Sequence, residues 1–172
     1  MIPPSIKVRD GNLLAGEWLV NLYEDEQLLK LIHVLVLCNE SELNGKDGEY
    51  VVTGFSTENA LIDLAINSGV DVIGLRENYP VLKINQRSED RNYMTSLHST
   101  ADNRQLIAVK ASPSEVLGLC SWYLENGQIV PLTDTDKLAV EIQNESMAGN
   151  ALRVLGAVYL IADPENIHSG ED

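Results

Sequence analysis

Along the chain, stretches in which apolar residues recur every three to four positions alternate with short runs of clustered apolar and β-branched residues. Glu24–Cys38 is of the first kind. Leu28, Leu31, Ile32 and Leu35 fall on one helical face, and Glu24, Asp25 and Glu26 put negative charge at the positive end of the helix dipole. A polar stretch, Asn39–Gly48, leads to a short β-rich run, Tyr50–Thr53. Ser56-Thr57-Glu58 opens a second helix with Leu61, Ala65 and Ile66 on its buried side, and Ser68-Gly69 closes it. Val81–Ile84, Tyr93–His98 and Gln105–Lys110 read as strands. The first two flank a charged loop, Asn85–Asn92, and the second and third flank a hairpin loop, Ser99–Arg104.

Ser112-Pro113-Ser114-Glu115 carries a helix start: Ser112 caps, Pro113 takes the first helical position and Glu115 completes a capping box. That helix is predicted to run to about Tyr123. Asn126-Gly127 makes a turn before a short strand, Gln128–Leu132. Thr133 or Asp134 starts another helix, with Leu138 and Ile142 inward, ending near Ala148–Asn150. Leu152–Ile161 is apolar and β-branched enough for a central strand, with a helix as the alternative. Strands in runs rather than in βαβ alternation predict an α+β fold, an antiparallel β-sheet flanked by helices.

With 172 residues, 44% of them apolar, the chain has the material for one domain, residues 1–172, with 1–16 and 163–172 as loose ends. The formal net charge of −14 excludes a general nucleic-acid binder, which needs a basic patch. The longest strongly apolar run, Leu31–Cys38, is far short of the roughly 18–20 residues of a membrane span, and Met1-Ile2-Pro3-Pro4 opens no signal peptide. Direct membrane contact is therefore not expected of this domain. Cys38 and Cys120 sit in apolar runs and are expected as buried free thiols. His33, His98 and His168 stand in unrelated contexts, and no dinucleotide, phosphate-loop, zinc-protease or serine-hydrolase motif occurs. Spacing alone stops at an acidic α+β domain with no nucleophile–base constellation.

Five segments go further. Lys110-Ala111-Ser112-Pro113, with Cys120 ten residues after the lysine, resembles the Lys-Gly-Ala-Pro-Glu…Cys signature of the nucleotide-binding domain of P-type cation-transporting ATPases. Cys120-Ser121-Trp122-Tyr123…Asn126-Gly127…Val130-Pro131-Leu132 is similar to the same family. So is Gly54-Phe55-Ser56-Thr57-Glu58-Asn59-Ala60-Leu61, against a pattern Gly-acid-Pro-Thr-Glu-x-Ala-Leu. Leu37-Cys38-Asn39 resembles the family's Leu-Cys-Asn. Met147-Ala148…Leu152-Arg153-Val154-Leu155…Ala157-Val158-Tyr159 resembles its Met-Ala-x-x-Gly-Leu-Arg-Val-Leu-Ala-x-Ala-Tyr. The segments keep the family's order from residue 37 to residue 159.

The resemblance implies an ATP-binding domain on the cytoplasmic face of a membrane-embedded transporter. Such a domain holds ATP, accompanied by Mg²⁺, for transfer to an aspartate in the phosphorylation domain of the pump, its partner. The isolated domain supplies no catalytic residue; the enzyme is the parent chain. By the same resemblance Lys110 lines the adenine pocket, Met94 packs beside the base, Arg153 reaches toward phosphate, and Thr57 and Glu58 open a helix near the pocket. For Glu58, helix-start electrostatics is the alternative.

Departures from the family pattern fall on the same site. Arg87 stands where the family has its adenine-stacking Phe, Asn92 replaces a lysine, Phe55 an acid and Ala111 a glycine. Losing the aromatic platform is worth about 1–3 kcal/mol per stacked base. Arg87 lying flat over the base, or Phe55 offering a new aromatic face, would compensate. The alternative is a degenerate domain with little nucleotide affinity, serving as a structural or regulatory interaction module. Under the nucleotide reading Lys110 is expected to be exposed in a pocket, so that Lys110→Ala weakens binding without much unfolding.

Overall fold

The computed structural model describes residues 6–9, 12–15, 17–46, 49–125 and 127–167. Their contacts gather into two compact units, Met1–Glu77 and Asn78–Asp172.

The first unit begins with an antiparallel meander of β1 (Ile6–Arg9), β2 (Asn12–Ala15) and β3 (Trp18–Leu19). The N-terminal segment expected to be loose is therefore strand over its described part, and Leu13 is buried. Three strands of four residues or fewer are too short to show a periodic signal. A 3-10 turn, Leu22–Glu24, precedes α1 (Glu26–Leu37). Asp25 caps α1, its carboxylate accepting from the Leu28 N–H at 2.9 Å. Ile32 and the run from Val34 to Cys38 are buried. Leu31, expected inward, lies at the edge of the stripe and is exposed.

Next comes a hairpin of β4 (Glu42–Lys46) and β5 (Glu49–Thr53). β4 falls in the stretch read as merely polar, because both its faces carry polar residues and alternation is lost. In α2 (Ser56–Asn67) the buried residues are Ile62 and Ala65, with Leu61 and Ile66 half-buried. Gly69, at φ +84°, ends the helix: its N–H bonds to the Ile66 carbonyl and the Val70 N–H to that of Ala65, both at 2.9 Å. This is a Schellman cap, and its left-handed position suits glycine. A short helix, α3 (Val72–Asn78), follows; it was not legible in the sequence.

The second unit is built on a four-stranded antiparallel sheet of β6 (Val81–Asn85), β7 (Met94–Ser99) and β8 (Gln105–Ala111) with a last strand, β11 (Gly156–Ala162), in the order β11-β8-β7-β6. β11 pairs with β8 alone, so the segment expected as a central strand is an edge. Between β8 and β11 lie α4 (Pro113–Leu119), a hairpin of β9 (Trp122–Glu125) and β10 (Gln128–Pro131), and α5 (Asp134–Gly149). α4 packs on β8 and β11. A Cβ at Gly156 would come within 2.9 Å of Val116 Cγ2, so the absent side chain sets this close approach.

Two expectations fail at the helix starts and ends. α4 stops at Leu119, and Trp122 and Tyr123, read as its end, belong to the strand Trp122–Glu125. Ser112 sits at the cap of α4 without a side-chain cap bond, while the capping box forms at α5, between Thr133 and Asp136. The Asp136 carboxyl is held below its usual range by the Thr133 hydroxyl and backbone N–H. Leu138 and Ile142, expected inward, are 55% and 57% exposed, and α5 buries none of its residues. α5 packs chiefly on α4, a helix too short to cover an apolar stripe along its length. Its C-terminus closes with the same cap as α2: the Ala151 N–H bonds to the Ala148 carbonyl and the Leu152 N–H to that of Met147. The left-handed residue here is Ala151, at φ +57°. A 3-10 turn, Pro164–Asn166, lies within the segment expected to be a loose end, of which residues 168–172, His168 among them, fall outside the described set. Among the described residues no helix is long and apolar enough to cross a membrane.

Candidate functional site

The alternation of β7 and β8 buries one face of each strand: Met94, Ser96 and His98 on β7, and Leu106, Ala108 and Lys110 on β8. Register places Met94 directly opposite Lys110, Ser96 opposite Ala108 and His98 opposite Leu106. Ala157 of β11 flanks Lys110 on its other side, and Gly156 lies opposite Ala111. A lysine, a serine and a histidine in one buried layer depart from an ordinary core, where lysine is almost never fully enclosed. His98 Nδ1 lies 2.9 Å from the Tyr79 carbonyl and Nε2 lies 2.8 Å from Ser96 Oγ. Since a carbonyl only accepts, Nδ1 is the donor, which fixes the ring orientation.

Lys110 is 1% exposed and Met94 is 5% exposed. The expectation of an exposed lysine is therefore corrected: its position on a middle strand, with β7 and β11 on either side, encloses it. Ala111, which follows it, is also buried, and the extra methyl relative to glycine is accommodated without positive φ.

The loop between β6 and β7 holds Arg87, which is exposed. Asn92 donates from Nδ2 to Glu115 Oε1 on α4 at 3.3 Å. Arg91, which the sequence reading passed over, sits with its guanidinium carbon 5.6 Å from the Tyr93 ring centroid and donates from Nη2 to the Gln86 carbonyl at 2.9 Å. The signal available was a cation two residues before an aromatic, too common to single out. Arg153 is exposed in the connection from α5 to β11. At the far end of β8 from Lys110, Tyr79, Thr100, Asp102, Arg104 and Ile161 line a shallow depression of about 280 Å³. There the Arg104 side chain and the Thr100 hydroxyl hold the Asp102 carboxyl well below the usual carboxylate range.

Phe55 and Glu58 belong to the first unit. Phe55, at the cap position of α2, is 80% exposed. Glu58 is tied into a local network: Oε2 accepts from the Glu40 N–H at 3.3 Å, and its carbonyl accepts from Asn39 Nδ2 at 3.0 Å. Asn39 Oδ1 accepts in turn from the Ser41 N–H, and Ser41 Oγ bonds to Asn59 Oδ1 at 2.7 Å. A Cβ at Gly54 would come within 2.6 Å of Ser41 Oγ, so the glycine lets these segments close on each other. Arg76 completes the arrangement, donating to the carbonyls of Ser41 (2.8 Å), Val36 and Asn39 (3.4 Å each). Burial lowers the Arg76 pKa, and the Glu58 charge opposes that shift. Nothing in the sequence marked Arg76, since its partners are backbone groups some forty residues away.

Sequence comparison supplies the family. The model of the family described as P-type ATPase, cytoplasmic domain N, matches residues 27–171. A cation-transporting ATPase of Synechocystis is 34% identical over 132 residues, 76% of this chain and 14% of that protein. A calcium-transporting ATPase of Listeria monocytogenes is 31% identical over 130 residues, again 76% and 14%. A calcium-transporting ATPase of Bacillus subtilis is 26% identical over 149 residues, 87% of this chain and 17% of that protein. The chain thus spans about a sixth or less of each relative. With the antiparallel sheet and flanking helices, these matches establish that the chain belongs to the cytoplasmic N-domain family of P-type cation-transporting ATPases.

Proposed function

We propose that this chain binds ATP and positions it, with its Mg²⁺, for phosphorylation of an aspartate in the phosphorylation domain of a cation pump, on the cytoplasmic side of the membrane. The observation that carries the reading is the pairing of Met94 with Lys110 across β7 and β8 on one buried face. These are the residues that the family resemblance assigns to the base. A sulfur and a lysine stem give an apolar wall, and the ammonium supplies a donor at its end. In this reading Arg153 serves the phosphates from the connection leading into β11. The domain needs no acid, base or nucleophile of its own, because phosphoryl transfer depends mainly on positioning and electrostatics.

The buried lysine changes how the reading is tested. Lys110→Ala would open a cavity, so Lys110→Met is the better variant: it keeps an unbranched stem and removes the charge. Equilibrium dialysis with labelled ATP and Mg²⁺ is expected to give saturable binding for the unmodified chain in the millimolar range, about −4 kcal/mol. Lys110→Met is expected to weaken it about tenfold, the worth of one charge-assisted hydrogen bond. Unchanged affinity in a folded Lys110→Met variant contradicts the role of the lysine, and no saturable binding by the unmodified chain contradicts the reading.

A further inference from the structure

α5 turns a mostly polar side toward its own unit. Its half-buried positions are Asp136, Lys137, Ala139, Gln143 and Asn144. Lys137 lies close enough to Cys120, at the end of α4, for its charge to act on the thiol, and Asp136 acts likewise on the Tyr123 hydroxyl of β9. The opposite side, Asp134, Leu138, Glu141, Ile142 and Glu145, follows the helical repeat and is exposed along its length. A surface helix of a self-sufficient domain carries its apolar stripe inward. Here Leu138 and Ile142 stand one turn apart on the outward side.

The same side carries charge of one sign. Asp134, Glu141 and Glu145 flank the two apolar residues, and no lysine or arginine shares that side. Glu141 and Glu145 are a like-charge pair at i, i+4, an arrangement that weakens an isolated helix. A complement to this surface must present apolar side chains at the same rise, about 6 Å, with cations around them. A helix does so with residues at i and i+4. A second copy of this chain is a poor complement: its α5 would set carboxylate against carboxylate, and the formal charge of −14 repels. An anionic membrane surface or a nucleic acid has the same sign as α5.

We propose that the outward side of α5 docks a cationic amphipathic helix of a partner protein, whose apolar residues at i and i+4 seat on Leu138 and Ile142 and whose lysines or arginines meet Asp134, Glu141 and Glu145. The exposed charges make the contact weak and salt-sensitive, so the partner associates reversibly. The surface is independent of the nucleotide reading, since none of its residues belongs to the face that holds Met94 and Lys110.

The test titrates the ¹⁵N-labelled chain with a synthetic leucine–lysine peptide of about 18 residues, long enough to form a helix, with its leucines at helical spacing. A scrambled peptide of the same composition is the control, both to ~1 mM. The patterned peptide is expected to move the amides of Leu138, Ile142 and Glu145 saturably, with affinity falling severalfold between about 50 and 300 mM salt. Leu138→Gln with Ile142→Gln is expected to weaken binding about tenfold at a nearly unchanged urea midpoint. Glu141→Gln with Glu145→Gln is expected to weaken it less and to flatten the salt dependence, and decides the matter should the first variant not fold. A scrambled peptide that moves the same amides as strongly overturns the proposal, since charge attraction alone then suffices. Patterned-peptide shifts elsewhere on the chain, or none, overturn it as well. So does a dimer in sedimentation that the Leu138→Gln, Ile142→Gln variant dissolves, which assigns the face to a second copy.

Discussion

Both units hold residues that lie in or beside the segments resembling the family, and the two set them in different surroundings. In Met1–Glu77 the side chains of Asn39, Glu58 and Asn59 are taken up by hydrogen bonds to neighbouring backbone and side chains, with Gly54 allowing the close approach. In Asn78–Asp172 the signature residues Met94 and Lys110 meet across two strands on one buried, partly polar face. Asn39, Glu58 and Asn59 thus read as scaffold, and Met94 and Lys110 as candidates for ligand chemistry.

The largest effect that sharpens this contrast is expected at Arg76. Arg76→Ala removes a charged donor shared by three carbonyls and should lower unfolding free energy by about 2–3 kcal/mol in urea titration. Its affinity for ATP, measured below the unfolding transition, should not change. Lys110→Met should do the reverse, shifting affinity about tenfold with a smaller effect on stability. If Arg76→Ala also lost ATP affinity while folded, the division between scaffold and ligand residues would fail.

A second contrast lies in how a long helix ends in each unit. α2 closes at Gly69 and α5 at Ala151, both with left-handed φ and the same pair of cap bonds. An alanine there carries the strain of its Cβ against the following carbonyl. Ala151→Gly should stabilise the chain by about 1 kcal/mol, read as a raised urea midpoint at constant slope. The family pattern has glycine at this position, so the departure visible in the sequence acquires a conformational meaning. A lowered midpoint would show that α5 does not end in this cap.

The smallest effect is expected on α5 itself. Replacing Leu138 and Ile142 together by Gln should change stability by less than about 0.5 kcal/mol for each residue, since both are more than half exposed. A loss of several kcal/mol would mean that the stripe is buried after all.

How far the sequence carried depended on whether a signal was local. The three strands β6, β7 and β8, and the hairpin joining the last two, were legible because alternation and turn residues lie within a few positions of each other. β4 and the N-terminal meander were not, since polar or very short strands take their register from partners. α4 lost its last turn because helix and strand propensity cannot be told apart over Cys120–Tyr123 without the β9–β10 pairing. For the site, the resemblance assigned Met94 and Lys110, but the enclosure of Lys110 is a property of sheet order. Arg91 reads in sequence as part of a solvated charge run, because its partners are a carbonyl and a ring that only the folded loop assembles.

The most direct test of the central claim is a two-dimensional amide NMR titration of the chain with ATP and then AMP, to ~10 mM. The account predicts saturable shifts at Met94, Lys110 and Ala111 and along the connection around Arg153, with the Asn39–Ser41 turn and Arg76 still. Shifts that are diffuse, absent or confined to the first unit would contradict it.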